Sequence, residues 1–188
     1  MSEPGALARE ELDLLQELMN IAFGKASADL AAARGTDVGL TVPNVQAMPA
    51  VLIRYYLGAE LKGEGRVGVV AQAFRGGLDG SALLVLPEEV GEVALREIGE
   101  VLVRACVGRL GELLGTATRF EPPAIAVEGR REAAARAELF QNDCPAVVLR
   151  SSFHLGAPAA AGHLFVAASR DSIAWLKGAL PRFLAQYG

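Results

Sequence analysis

Four residues of one short stretch, DLLQELMNIAFG, have types and spacing that could do chemistry: Asp13, Glu17, Asn20 and Gly24. At about 100° per residue they share one face of a helix, while Leu15, Leu18, Met19, Ala22 and Ala26 gather on the opposite face. The two carboxylates can accept hydrogen bonds and hold a cation. The amide accepts and donates without bringing charge, so it can orient a water molecule beside an electron-rich centre. Gly24 follows Asn20 by one turn. It costs about 1 kcal/mol relative to Ala in a helix interior, but leaves no side chain in the way of an approaching surface. The face reads as a docking ridge built around a single amide.

The pattern extends to Pro43, giving Asp13-x3-Glu17-x2-Asn20-x22-Pro43 with Asn-Ile-x-x-Gly inside it. In these positions the chain resembles the active-site consensus of the CheC/CheX/FliY phosphatases. The resemblance implies action on the aspartyl phosphate of a response-regulator receiver domain, CheY-like in the usual case. Hydrolysis of such a phosphate needs a water held in line with the leaving carboxylate oxygen. By the resemblance Asn20 positions that water, and Glu17 anchors to the lysine of the receiver's own site. Asp13 and Gly24 then flank the pair as partner-binding positions. The resemblance also places the lysine and the Mg2+ ion in the receiver, so the chain is expected to carry no cofactor and no metal of its own. A CheD-like deamidase is the further partner it implies.

Periodicity predicts the elements that must position this ridge. A first helix runs from near Leu7 to about Arg34, with Gly35 as its stop. Alternation at Val38, Leu40 and Val42 marks a strand that meets Pro43 and resumes at Val45, proline implying an edge, a bulge or a strand end. A short helix from Pro49 to about Leu57 leads through a glycine-rich segment, Gly58 to Gly65, into two strands, Arg66 to Phe74 and Ser81 to Leu86. RGGLDG between them is hairpin chemistry. Pro87-Glu88-Glu89 opens a second long helix to about Leu114. A strand over Thr118 to Val127 broken at Pro122-Pro123, a short helix over Arg131 to Phe140, strands at Ala146 to Phe153 and Gly162 to Ala168, and a helix from Arg170 to Gln186 containing Pro181 complete the chain.

The order helix, strand, short helix, strand, strand occurs twice, about 7–86 and 87–188, with Glu17 and Glu97, and Pro43 and Pro123, each 80 residues apart. The register then shifts by about two residues, matching Leu86 with Ala168. A repeat of this length is a duplicated folding unit rather than a solenoid. The expected fold is therefore α/β of the α+β type: one CheC-like domain over residues 1–188 with pseudo-twofold symmetry, an antiparallel sheet and two long motif-bearing helices. The second ridge is degenerate, with Val93, Glu97, Glu100 and Arg104 at the four positions. Glu100 has no N–H to hold a phosphate oxygen, and its i,i+4 spacing to Arg104 predicts an ion pair that neutralises the ridge.

A chain of 188 residues that is 52% hydrophobic can fill a substantial core. Its net charge of −4, with scattered basic residues, argues against nucleic-acid or membrane surfaces, and the N-terminus lacks a signal pattern, so a cytoplasmic setting is expected. Cys106 and Cys144 lack metal or redox spacing and read as free thiols, and His154 and His163 read as structural. Gly76, Gly77 and Gly80 lack the following helix of a phosphate loop. Two functions compete with hydrolysis: a CheC-like module that binds and regulates with little catalysis, and a motility-apparatus component like FliY. The expected lack of a further flagellar-type domain counts against the last.

Overall fold

A computed structural model describes residues 6–35, 38–136, 145–155 and 160–187. The first helix, α1, spans Arg9–Arg34, two residues later than its periodicity predicts. Leu7 is apolar but lies ahead of the cap, buried in the core. Glu11 accepts the Ala8 N–H at 2.6 Å, so Asp13 is free of a capping role. Gly35, at φ 63°, closes the helix by donating its N–H to the Ala31 carbonyl at 2.9 Å.

The strands β1 (Val38–Leu40) and β2 (Asn44–Pro49) follow, separated at the proline. A 3-10 turn at Ala50–Leu52 leads into α2, Ile53–Glu60. This helix runs through Gly58, which periodicity had placed in the loop, because Leu57 and Leu61 are both buried on its inner side. The hairpin of β3 (Arg66–Gly76) and β4 (Gly80–Pro87) is antiparallel as predicted, with Val70 opposite Leu84.

Pro87-Glu88-Glu89 does not open the second long helix. Glu88–Val90 form a 3-10 turn that ends at Gly91, whose φ of 77° breaks the path, and α3 spans Glu92–Leu113. Next come β5 (Thr118–Phe120), β6 (Ala124–Gly129) and α4 (Arg130–Ala135). The remainder of the short helix predicted to Phe140, and Cys144, lie outside the described residues. β7 (Pro145–Leu155), β8 (Ala160–Ala168) and α5 (Arg170–Tyr187) complete the chain, and α5 continues through Pro181.

One antiparallel sheet runs β1-β7-β8-β4-β3-β5, with β2 also on β7 and β6 also on β3. Each repeat lays its interrupted edge strand on the hairpin of the other. Val38 pairs with Leu155 at one edge, as Thr118 pairs with Gly76 at the other. At the centre Leu83 faces Phe165, its own counterpart when Leu86 is matched with Ala168. The pseudo-twofold axis passes through that pair.

Alternation along the central strands sends side chains to two cores. Val70, Phe74, Leu84, Leu86, Leu164 and Val166 pack beneath α1, α3 and α5, whereas Val69, Leu83, Val85 and Phe165 pack against Ile53, Leu57 and Ala133 of α2 and α4. Because both faces are covered, these antiparallel strands are nearly continuous apolar runs. The two long helices meet across the symmetry axis, where Arg109 donates to Asp29, its counterpart, at 3.0 Å and to Glu112 at 2.7 Å. Hydrogen bonds to those carboxylates raise the pKa of the partly exposed Arg109 guanidinium.

α3 lies closely on the sheet at Gly99. A Cβ there would stand 2.6 Å from Cγ1 of Val70, a side chain stiff at χ1, whereas a Cβ at Gly24 meets nothing within 4 Å. The two glycines should therefore respond oppositely to the same change. Gly24→Ala is expected to raise stability in urea unfolding by about 0.5–1 kcal/mol. Gly99→Ala should lower it by about 1 kcal/mol or more, because overpacking outweighs the helix gain. Equal gains at both would mean that α3 stands off the sheet.

Candidate functional site

Asp13, Glu17 and Asn20 are all exposed on the outward face of α1, opposite Leu15, Leu18, Met19, Ala22 and Ala26, which are buried. Gly24 extends that face with open space above it. The structure thus places the four predicted residues along one side of one helix. It adds Ile21, 56% exposed beside Asn20 despite its hydrophobic side chain. An isoleucine held in water next to an amide gives an approaching protein surface something apolar to cover.

Periodicity did not single out Gln16, and this residue ties the ridge to the strand edge. Its Nε2 donates to the Pro43 carbonyl and its Oε1 accepts the Val45 N–H at 2.9 Å. One amide therefore satisfies two backbone groups where β2 begins, the last carbonyl of the break and an outward N–H of the strand. Farther along α1, Ser27 Oγ donates to the Val38 carbonyl at 2.5 Å. The edge strand runs back along the helix, pinned at both ends, which accounts for a proline at a fixed distance from the asparagine. Only the polarity of Gln16 on a partly buried flank could have signalled this in the sequence.

The sheet side of the break is duplicated. Thr41 donates its N–H to the Ser152 carbonyl at 2.8 Å, and Ser151 Oγ donates to the Thr41 carbonyl at 2.9 Å. At the matching positions Glu121 donates its N–H to the Ala73 carbonyl at 3.0 Å, and Gln72 Nε2 donates to the Glu121 carbonyl at 2.8 Å. The helix side is not duplicated. Arg96 and Val107 stand where Gln16 and Ser27 stand in the first half, and neither makes the corresponding bond among the described residues.

The second ridge differs from its expectation in one respect. No ion pair joins Glu100 and Arg104 among the described residues. Glu100 is half-buried, and the Arg104 guanidinium lies 5.8 Å from the centroid of the Phe120 ring, a cation–π contact that competes with the exposed carboxylate pairing. Glu97 is exposed, and Val93 is 75% exposed. The gap that Gly24 leaves open on α1 is occupied on α3 by a side chain anchored to β5.

The remaining titratable candidates lie away from both ridges. Cys106 is fully buried in α3, and burial raises its thiol pKa so that it stays protonated. His163 is half-buried between β8 and β7, where burial lowers its pKa, and His154 is exposed on β7. No helix among the described residues is long and apolar enough to cross a membrane.

No protein-family model matches the chain, and no curated protein matches it in sequence. Solved structures do. FliY from Thermotoga maritima superposes with a TM-score of 0.69 at 20% identity, covering 94% of this chain and 98% of that one. The FliM middle domain from H. pylori superposes at 0.59 with 10% identity, covering 91% and 99%, and is also matched in complexes with SpeE and with FliG. CheX from Desulfovibrio desulfuricans gives 0.50 at 9% identity, covering 81% and 99%. The fold is therefore that of the CheC/CheX/FliY-like proteins, shared also by the FliM middle domain.

Removal of the Gln16 amide leaves the Pro43 carbonyl and the Val45 N–H without their partner. Gln16→Leu is expected to lower stability by about 1–3 kcal/mol in urea unfolding. Arg96→Leu, at the matching site of the second half, should change it by less than about 0.5 kcal/mol. Equal effects would remove the clamp from the account of the ridge.

Proposed function

We propose that this chain is a phosphoprotein phosphatase that hydrolyses the aspartyl phosphate of a CheY-like receiver domain, with Glu17 and Asn20 as its working pair. The observation that carries this reading is the exposure of both residues on one rigid helix whose next turn is open at Gly24. A helix buried along its inner face and pinned at Pro43 holds the Cα positions of its outer residues in place before a partner arrives. That is what water positioning requires. Asn20 accepts from the attacking water and donates to a phosphoryl oxygen, adding no negative charge where a carboxylate would repel the phosphate. Glu17 pairs with the receiver's lysine and sets the height of the amide. Mg2+ is carried by the receiver, and the chain needs no cofactor. Asp13 borders the contact, and the fold shared with FliY and CheX is consistent with this assignment.

A second reading is a binding module with little or no turnover, regulating a receiver or a CheD-like deamidase. It is favoured by the FliM middle domain, which has the same fold and has been solved in complexes with FliG and with SpeE. Exposed Ile21 suits either reading. Chemotaxis-type signalling in the cytoplasm is the setting both share.

Timing the loss of phosphate from a panel of phosphorylated receivers of the same genome separates the two. For the receiver that is turned over, Asn20→Ala should lower kcat by roughly 100-fold while leaving affinity nearly unchanged, because a positioning amide acts in the transition state. Glu17→Ala should lower rate and affinity together. No accelerated loss with any receiver, alongside measurable binding, would select the module.

The covered ridge on α3 supplies a further test. Placed in Asn20→Ala, the pair Glu100→Asn and Arg104→Gly restores the amide and releases the cation from Phe120. Activity that depends on Glu97 should return. It should be higher when Arg96→Gln is added, since that change offers the strand break at Glu121–Pro123 the helix-side amide it lacks. A folded variant no faster than its Asn20→Ala parent would show that α3 is misplaced for catalysis.

A further inference from the structure

On the opposite face of the sheet, α2 and α4 border a shallow groove of about 540 Å³ lined by Arg54, Tyr55, Gly58, Ala59, Lys62, Arg131, Ala134 and Ala135. Its floor is made of small residues, so a second backbone can approach closely. Its rim carries three cations and Tyr55, which is 72% exposed. Among the described residues three neighbouring acids are engaged elsewhere, and Glu64 stands exposed two residues beyond Lys62. Glu60 pairs with Arg150 and Glu128 with Arg136, while Glu132 accepts the Gly129 N–H at 2.5 Å. Arg54, Lys62 and Arg131 make no ion pair among the described residues. In a chain of net charge −4, whose α1 ridge presents Asp13 and Glu17, this groove is a locally positive surface on the far side of the sheet.

We infer that the α2–α4 groove docks an acidic amphipathic helix of a partner protein, laid over Gly58, Ala59, Ala134 and Ala135 with its carboxylates on Arg54, Lys62 and Arg131. The shape favours a peptide over a compact anion. Arg54 and Lys62 are eight positions apart along and just beyond α2, about 12 Å at the helical rise, so only an elongated ligand can meet both without the two side chains folding toward each other. A helix with acids two turns apart can. Its small apolar side chains would cover the floor and the Tyr55 ring, which is the helix-in-groove mode of recognition. The inference goes beyond the phosphatase reading. The groove faces away from α1, so its occupant and a receiver bind together without competing.

Fluorescence anisotropy of the full chain with a labelled Ala/Glu helical peptide, bearing glutamate at every third or fourth position, tests this without any receiver. Binding is expected, roughly tenfold weaker for the same peptide with glutamine in place of glutamate, and weaker in high salt. Arg54→Glu/Arg131→Glu should weaken binding by roughly tenfold, while Arg119→Glu, an equally exposed change on β5, should alter it by less than about twofold. Ala59→Trp fills the floor and leaves every charge in place. It should weaken binding by about fivefold or more. All three proteins must keep the parental circular dichroism and melting profile, which surface changes of this kind are expected to do. Three results would overturn the proposal: no peptide binding, a loss in Arg119→Glu matching that in the double variant, or unchanged binding in Ala59→Trp. Tighter binding of pyrophosphate or of phosphatidylglycerol vesicles than of the peptide would overturn it as well, by assigning the groove to a small anion or a lipid surface.

Discussion

The four central strands, β3, β4, β8 and β7, carry apolar side chains on both faces, and this double burial sets the remaining architecture. A sheet of this composition is stable only if helices cover it twice. The chain supplies α1, α3 and α5 on one side and α2 and α4 on the other. The inner face of each helix is therefore committed to the sheet. Chemistry and recognition are left to the outer faces of those helices and to the interrupted edges of the sheet, where backbone groups lack ladder partners. The ridge of α1 and the break at Pro43 are one example of each, and Gln16 joins them.

The two halves share the same elements, but only the first carries Gln16, Asn20 and Gly24 at the ridge positions. The bonds that hold each edge strand to the sheet are made in both halves. The helix-side bonds survive only beside Asn20. In the second half three positions have changed together: Gln16 is matched by Arg96, Asn20 by Glu100 and Gly24 by Arg104. Arg104 then turns to Phe120 and covers the gap. The pattern separates what the fold requires from what the ridge requires. Folding preserved the apolar residues of α3, such as Leu95, Ile98 and Leu102, which remain buried. The outer face of α3 carried no such constraint.

Much of this was legible in the sequence for physical reasons that also mark its limits. Helix and strand periodicity located the five helices and eight strand segments found among the described residues, and the 80-residue offset revealed the repeat, because burial repeats with the geometry of each element. The ends of elements were less legible. Gly91 halts the path after Pro87 by its positive φ, whereas Gly58 continues a helix because Leu57 and Leu61 fix its inner face. An isolated glycine in a sequence does not distinguish these cases. The ridge residues could be read because they share the helix face opposite the apolar stripe and keep a fixed spacing to Pro43. Gln16 could not, since a glutamine on a helix flank looks solvated until the strand that it clamps is brought beside it. Arg104 was misassigned for the same reason: Glu100 is its neighbour in the helix, but Phe120 arrives only with the fold.

The two outer surfaces also differ in sign, and that difference follows from how each is used by the fold. On the α1 side, acids and an amide stand on a long helix with a full inner stripe, so its outer face is free to be polar without loss of stability. On the α2 side, the helices are short and reach the sheet through a few residues, Ile53, Leu57, Leu61 and Ala133, with Tyr56 and Ala134 partly buried beside them. Their outer residues are small or cationic, leaving a depression rather than a ridge. The acidic ridge and the basic depression thus lie on opposite sides of one sheet. If the ridge acts on one protein while the groove holds another, the sheet between them is what keeps both at a fixed distance.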